Sequence, residues 1–418
     1  MLTDSALATA TGTPEDTPQG QQAGPLSGVR ILDLSTVVAG PFGATLCADL
    51  GADVTKIELP DGSDALRKLQ PVKDDISLYW KVTNRGKRGI TLDVRKAEGR
   101  ALLLRLAAKA DVLVENFRAG KLEEWGLDFE TLHAANPRLV VLRLTGFGQT
   151  GPYRQRGGFA RIFEAMSGLT QLTGETNGAP LHMNFPMGDT VAGLFAAFAI
   201  AAEMVRMRSD PAAHGVEIDL SATEALFRML EPLAVEREQL GLVRGHHGNR
   251  ATYTAPSNMY RSADGVMFSL VASSQPIFRR LCAALELHDV PDDARFVDNV
   301  SRVAHAAELD ARLEKIFAAL PFALLTTRLT EAGVPHTRIY TIDDIAADPH
   351  FIARETIIRL PDADLGSVPA PCVVPRVKGR PAGVPRSGPA LGEHNEAVYR
   401  ALGLSAAALA QLRRDKVI

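Results

Sequence analysis

The chain has 418 residues, 46% hydrophobic and 23% charged, the composition of an ordinary soluble globular protein long enough for two domains. A net charge of -3 gives no basic footprint for nucleic acid or an anionic membrane, so any anionic ligand must be met by local basic residues. The three cysteines, Cys47, Cys282 and Cys372, are far apart and lack C-x-x-C spacing, which favours a reducing cytoplasm and no structural zinc.

Residues 1–25 are rich in Thr, Ala, Gln, Gly and Pro, contain no Lys or Arg, and read as a disordered tail rather than a presequence. Val29 to Leu34 reads as a strand, Gly43 to Leu50 as a helix ended by Gly51, and Val54 to Leu59 as a second strand. Further strands are predicted at Arg88 to Leu92, Asp111 to Val114 and Leu139 to Leu144, with a helix over Ala97 to Ala110. This alternation predicts an α/β fold with a parallel, helix-covered sheet. The apolar run Val191 to Met204 predicts a long helix, but falls short of the ~20 apolar residues that span a bilayer. A strand over Val216 to Leu220 and a helix to about Leu240 follow. Arg244 to Ser257 reads as a linker, after which Gly265 to Val271 and Pro276 to Leu287 open a second domain running to about 335. The Pro-rich run from Pro369 to Pro389 is expected to lie across a surface, and Asn395 to Leu412 to be helical.

Two stretches invite a chemical reading. Gly146, Gly148 and Gly151 form a G-x-G-x-x-G array behind a strand, but a dinucleotide fingerprint needs a helix to open at the third glycine. Here Pro152 and the polar, glycine-ended stretch to Gly158 predict a loop. Asp189 stands just before the apolar run, where an aspartate reads as a helix N-cap; a helix N-terminus equally favours a reactive carboxylate. His246 and His247 are adjacent, and adjacent histidines on a helix do not face the same way, so no metal site is expected.

Read in order, "DLSTVVAGPFGATLCADLGADVTKIE" (33–58), "NRGKRGITLDV" (84–94), "DVLVENFRAGKLEEWGL" (111–127), "GFGQTGPY" (146–153), "MGDTVAGLFA" (187–196) and "GVPHTRIYTIDDIAADPHF" (333–351) resemble the family III CoA-transferases, the CaiB/BaiF group that contains formyl-CoA transferase. "GPALGEHNEAVYRALGLS" (388–405) extends the resemblance towards the C-terminus.

The resemblance implies a Rossmann-like large domain built from both chain ends, residues 26–210 and 336–418, with a helical linker region over 211–255 and a small α+β domain over 256–335. It also implies an interlocked homodimer. Met187-Gly188-Asp189 matches the motif whose aspartate is the nucleophile, so Asp189 would attack an acyl-CoA and carry the acyl group, then CoA, to a free carboxylic acid. Coenzyme A enters as a cosubstrate, with no resident cofactor. By family position Val37, Leu92, Asn116, Phe117 and Lys121 would line the CoA site, and Arg88 and Arg118 add positive charge. On their own residue chemistry Phe117 reads equally as core, Asn116 as a turn residue, and the cations as solvated surface.

The acyl pocket would take in Val38, Tyr79, Phe159 and the loop Ser273-Ser274-Gln275. Tyr79 alone also reads as a half-buried strand aromatic. In formyl-CoA transferase a flexible glycine loop precedes the glutamine that Gln275 matches; here two serines stand instead. Val38 replaces a polar glutamine, and Phe159-Ala160 replaces Tyr followed by an acid, so the pocket is expected to take an acid larger or more apolar than formate or oxalate. Racemases of the same fold place a histidine where Phe159 stands, and phenylalanine cannot move a proton. An intramolecular transfer between two carboxylates of one diacid, or acyl-CoA binding without turnover, stays open.

Overall fold

The computed structural model describes residues 24–380 and 383–418; the tail expected over 1–25 lies outside them apart from Gly24 and Pro25. The described residues form two compact units, one of 24–167, 184–230 and 355–418, the other of 168–183 and 231–354.

The large unit is built on six parallel strands, β1 (Arg30–Asp33), β2 (Asp53–Glu58), β3 (Arg88–Thr91), β4 (Val112–Glu115), β5 (Val140–Thr145) and β6 (Glu217–Ser221), in the order β3-β2-β1-β4-β5-β6. β4 and β5 are buried along their whole length, as expected where helices cover both faces of a parallel sheet. Ile31 pairs with Val54 on one side and Val112 on the other, so β1 is central. The chain winds outward from β1 through β2 to β3, then crosses back to β4. This makes the carboxyl ends of β1 and β4 the topological switch point, where open α/β sheets bind ligands.

Helix α1 (Ala39–Asp49) follows β1, α2 (Ala97–Ala107) precedes β4, α3 (Ala160–Met166) follows the glycine loop, and α4 (Met187–Ser209) runs for 23 residues. α4 is longer than its apolar run because Met187–Thr190 and Val205–Ser209 continue the helix at either end; by length and composition it could cross a membrane. In this fold its Ala192, Ala196, Ile200 and Met204 are buried. α1 and α4 meet through glycine: a Cβ on Gly193 would lie 2.7 Å from the Ala39 carbonyl oxygen, and one on Gly43 2.8 Å from that of Gly193. Only hydrogen side chains permit that approach.

Local chemistry refines one expectation and corrects another. The Pro-rich run begins inside a strand, Gly366–Pro371, paired with Ile357–Asp362; in a two-stranded ribbon both strands are edges, where proline is tolerated. The C-terminal helix breaks into Asn395–Ala401 and Ala406–Arg414. Gly403 takes φ +84°, and Leu404 N–H bonds back to the Tyr399 carbonyl, a glycine-dependent helix stop.

The second unit carries a three-stranded antiparallel sheet of β7 (Ser257–Arg261), β8 (Met267–Val271) and β9 (His336–Arg338). Tyr260, Phe268, Phe278, Phe296 and Phe317 fill its core. Because His336–Arg338 pairs with Phe268–Leu270, this unit extends past residue 335 to Arg354. The stretch 211–255 is divided: β6 and the helix Ala222–Arg228 stay with the large unit, and the helix Pro232–Leu240 goes with the second.

Candidate active site

At the switch point the loop after β1 is tied to the loop after β4. Thr36 N–H donates to Asn116 Oδ1 at 2.7 Å, and Asn116 Nδ2 donates back to the Thr36 carbonyl at 2.8 Å. The next residue, Val37, has φ +64°, a conformation costly for a β-branched side chain. A cavity of about 150 Å3 opens beside this crossing, lined among others by Val37, Val38, Asn116, Gly146, Phe159 and Asp189.

Asp189 is the third residue of α4, and Pro186 occupies the N-cap, so the aspartate is not the cap that its place before an apolar run suggests. Among the described residues its carboxylate has no hydrogen-bonding or ion-pairing partner. Burial in the cavity wall, reinforced by the negative charge of Glu164, lifts it to about 6. Sequence reasoning takes the reference value near 3.9 for this group; the fold leaves it ionised at neutral pH but more basic than an ordinary aspartate.

Glu164 is buried on α3, and its Oε1 accepts Gly188 N–H at 3.0 Å, holding the first turn of α4. Glycine is needed at 188, where a Cβ would lie 2.7 Å from the Ala160 carbonyl oxygen. Phe163 fills the neighbouring wall so closely that a Cβ on Gly146 or Gly158 would meet its ring at 2.3 or 2.6 Å. The array Gly146 to Gly151 is a loop, with no helix before Ala160; Gly148 and Gly151 adopt φ +84° and +77°.

Tyr79 does not line the cavity but packs with Val37 and Val38. Its hydroxyl is buried without a hydrogen-bonding partner, and burial followed by the charge of Asp189 raises its pKa. Phe159 is 73% exposed, the most exposed large apolar side chain at the cavity.

The other residues singled out by sequence lie elsewhere. Leu92 is 1% exposed in the main core, with Phe117 packed against that core and edge-on to Trp125 at 4.9 Å. The Arg118 guanidinium lies against Gly157, and Lys121 pairs with Glu124 at 2.5 Å. Arg88 starts β3, the end opposite the switch point; it pairs with Asp53 at 2.5 Å and lines a separate cleft with Arg386 and His394.

Ser273, Ser274 and Gln275 belong to the second unit. There the buried Arg302 donates to the Ser273 carbonyl and to Gln275 Oε1, each at 2.6 Å, which pins the loop. His246 directs both ring nitrogens at backbone carbonyls, those of Gln171 and Gly178.

Sequence reasoning missed Glu164 and Asp64. A glutamate between Phe163 and Ala165 carries no local signal of burial. Nothing in the sequence around Asp64 signals that its carboxylate reaches back to Val37.

A family model described as CoA-transferase family III matches residues 26–395. The chain is 41% identical over 397 residues to succinyl-CoA–D-citramalate CoA-transferase of Chloroflexus aurantiacus, covering 94% of this chain and 98% of that one. It is 34% identical to succinate–glutarate CoA-transferase of Agrobacterium fabrum, covering 90% and 96%. A crystal structure of a CaiB/BaiF family protein from Brucella suis superimposes with a TM-score of 0.79 at 33% identity, over 91% of this chain and 100% of that one. The chain belongs to CoA-transferase family III, and is a CoA-transferase.

Proposed function

We propose that this enzyme moves CoA from an acyl-CoA to a free carboxylic acid through covalent intermediates on Asp189. The observation that carries the reading is a carboxylate without a cation, lifted to about 6, on the wall of a cavity at the switch point. Its oxygen attacks the thioester carbonyl, the C–S bond breaks, and a mixed anhydride and CoA thiolate result. The thiolate attacks the aspartyl carbonyl, releasing the donor acid and leaving an aspartyl-CoA thioester. The acceptor carboxylate attacks that thioester, and the returning thiolate takes the acceptor acyl group from the second anhydride. One thioester is exchanged for another, so the scheme needs neither ATP nor a metal. Tyr79, packed behind Val37 and Val38, is proposed to shape the acyl pocket from its second layer.

Relatives named for succinyl-CoA with D-citramalate, and for succinate with glutarate, support a succinyl donor and a dicarboxylic acceptor. Val38, Phe159 and Phe163 give the cavity an apolar wall that suits a carbon chain better than formate. Val37, Asn116, Phe117, Arg118 and Lys121, from the loops after β1 and β4, are the proposed CoA contacts. Leu92 would act from beneath, and Arg88 is a weaker candidate at the far strand end. Ser273, Ser274 and Gln275, in the second unit, are proposed as substrate contacts. A cytoplasmic homodimer fits the exposed face of α4, where Leu194, Phe198 and Val205 are 54%, 69% and 66% accessible.

The test is incubation with succinyl-CoA, trapping with hydroxylamine and peptide mass spectrometry. Hydroxamate at residue 189 in the wild-type chain, absent from Asp189→Asn, supports the mechanism. CoA binding without any adduct would favour an isomerase or a non-catalytic binder.

A further inference from the structure

The loop after β1 is held atom by atom from outside itself. Ser35 N–H donates to Asp33 Oδ1 at 3.1 Å, Thr36 is clasped by Asn116, and just past the loop, in the first turn of α1, the Pro41 carbonyl accepts from Lys87 at 2.7 Å. Val37 is the strained member, at φ +64°. Its N–H donates to Asp64 Oδ1 at 3.1 Å, and the same oxygen accepts Leu66 N–H at 3.0 Å. The carboxylate is itself held from the sheet: Lys56 Nζ lies 3.8 Å from Asp64 Oδ2 and bonds the Ser35 carbonyl, with the lysine and aspartate side chains 0% and 2% exposed. A positively charged side chain from β2 therefore joins the loop's backbone to the residue that fixes its strained turn.

Relaxation of Val37 to a negative φ would turn its N–H away from Asp64 and swing Val37 and Val38 relative to Asp189 across the cavity. Among the described residues nothing else bonds that N–H. We propose that Asp64 is a positioning residue for the CoA-binding loop: it keeps Val37 in the left-handed conformation, so the loop is already shaped when CoA arrives. The proposal rests on the reading that this cavity binds acyl-CoA. A preformed loop lowers the cost of ordering on binding, so losing it weakens affinity before it touches the chemical step.

The experiment measures CoA dissociation constants by calorimetry with CoA itself, together with KM and kcat for succinyl-CoA. Asp64→Ala should weaken CoA binding and raise KM by about tenfold while changing kcat much less. Adding Val37→Gly to Asp64→Ala should recover most of that loss, because glycine takes a positive φ without strain. Unchanged CoA affinity in Asp64→Ala overturns the proposal. So does a loss that Val37→Gly leaves untouched, since Asp64 would then act by something other than holding the turn. If Asp64→Ala does not fold, Asp64→Asn, which retains an acceptor for both N–H groups, decides: affinity within about threefold of wild type supports the proposal, and a larger loss overturns it. Failure of wild-type enzyme to form the Asp189 adduct would sink the transfer mechanism while leaving this CoA-affinity series interpretable.

Discussion

Asp33, fully buried, and Asp189, partly buried, are carboxylates of the same unit, and their environments push them in opposite directions. Asp33 meets Lys87 at 2.8 Å with both side chains fully buried, and Lys56 adds a second positive charge. Burial works against ionisation, but the two lysines outweigh it and hold Asp33 below the usual carboxylate range. Asp189 has burial without a cation, and Glu164 beside it. The same residue type becomes a structural anchor in one place and a basic, unneutralised carboxylate in the other. Burial alone does not distinguish them; the nearby charge does.

The most disruptive way to break this comparison is to neutralise the unpaired member. Asp189→Asn should lower CoA exchange by at least about a thousandfold. It should also stabilise the protein. A carboxylate whose pKa is raised on folding opposes the folded state once the unfolded chain can ionise it, so the gain is absent below the unfolded pKa, grows as pH rises from there, and is complete above about 6. A rise from the ordinary value to about 6 corresponds to on the order of 2 to 3 kcal/mol at pH 8. Denaturant melts at pH 8 and pH 4 would test this, and equal stability of mutant and wild type at pH 8 would refute it.

Removing the cation from the paired member should do the reverse. Lys87→Met leaves Asp33 buried against Lys56 alone, and loss of one partner of a buried pair costs about 3 to 5 kcal/mol. Wild-type Asp33 contributes stability above its unfolded pKa and loses it as pH falls through the lower folded value, so the mutant deficit should be largest at neutral pH. A urea midpoint unchanged by the substitution would show that the pair contributes nothing.

A smaller effect is expected from Gly193→Ala, which touches neither carboxylate but moves the scaffold between them. The added Cβ would stand 2.7 Å from the Ala39 carbonyl oxygen, so α1 or α4 must shift, at about 1 to 3 kcal/mol. Because Ala39 also lines the cavity, exchange activity should fall with the melting temperature. Wild-type stability in this variant would mean that the helices have slack at their crossing.

Much of this scaffold is legible in the sequence. Short apolar runs separated by helical patterns give the strands of a parallel sheet, and glycine followed by a polar stretch correctly marks the loop before α3. Asp189, Val37, Val38, Asn116 and Phe159 can be named before any coordinates, because they sit in contiguous motifs and reach one cavity. What escapes is chemistry assembled by distance. Glu164 carries no local signal of its place under Gly188. Asp64 supports Val37 from 27 positions away. Arg88 shows the converse difficulty: a cation beside a strand attracts a phosphate-binding reading, and the sequence does not announce that it stands at the first residue of β3, away from the usual ligand end of a parallel sheet. The domain boundary at 335 fails for a related reason, since a three-residue strand is too short to announce its partner.

The finest adjustment to the comparison is Glu164→Gln. Glutamine keeps an oxygen for Gly188 N–H, so the start of α4 stays in place while one negative charge leaves the neighbourhood of Asp189. Burial, the larger cause of the raised pKa, remains, so Asp189 should titrate below about 6 but still above an ordinary aspartate. With Asp189 as the proposed nucleophile acting deprotonated, wild-type kcat/KM should rise with pH through a midpoint near 6, and the variant's acid limb should move to lower pH. At pH 7 both enzymes hold Asp189 largely ionised, and there a less basic carboxylate should give a plateau rate reduced only a fewfold. An acid limb that stays in place would mean that Glu164 shapes the helix start without setting the charge of Asp189. A loss of activity at every pH would mean instead that its charge, and not only its hydrogen bond, holds the site together.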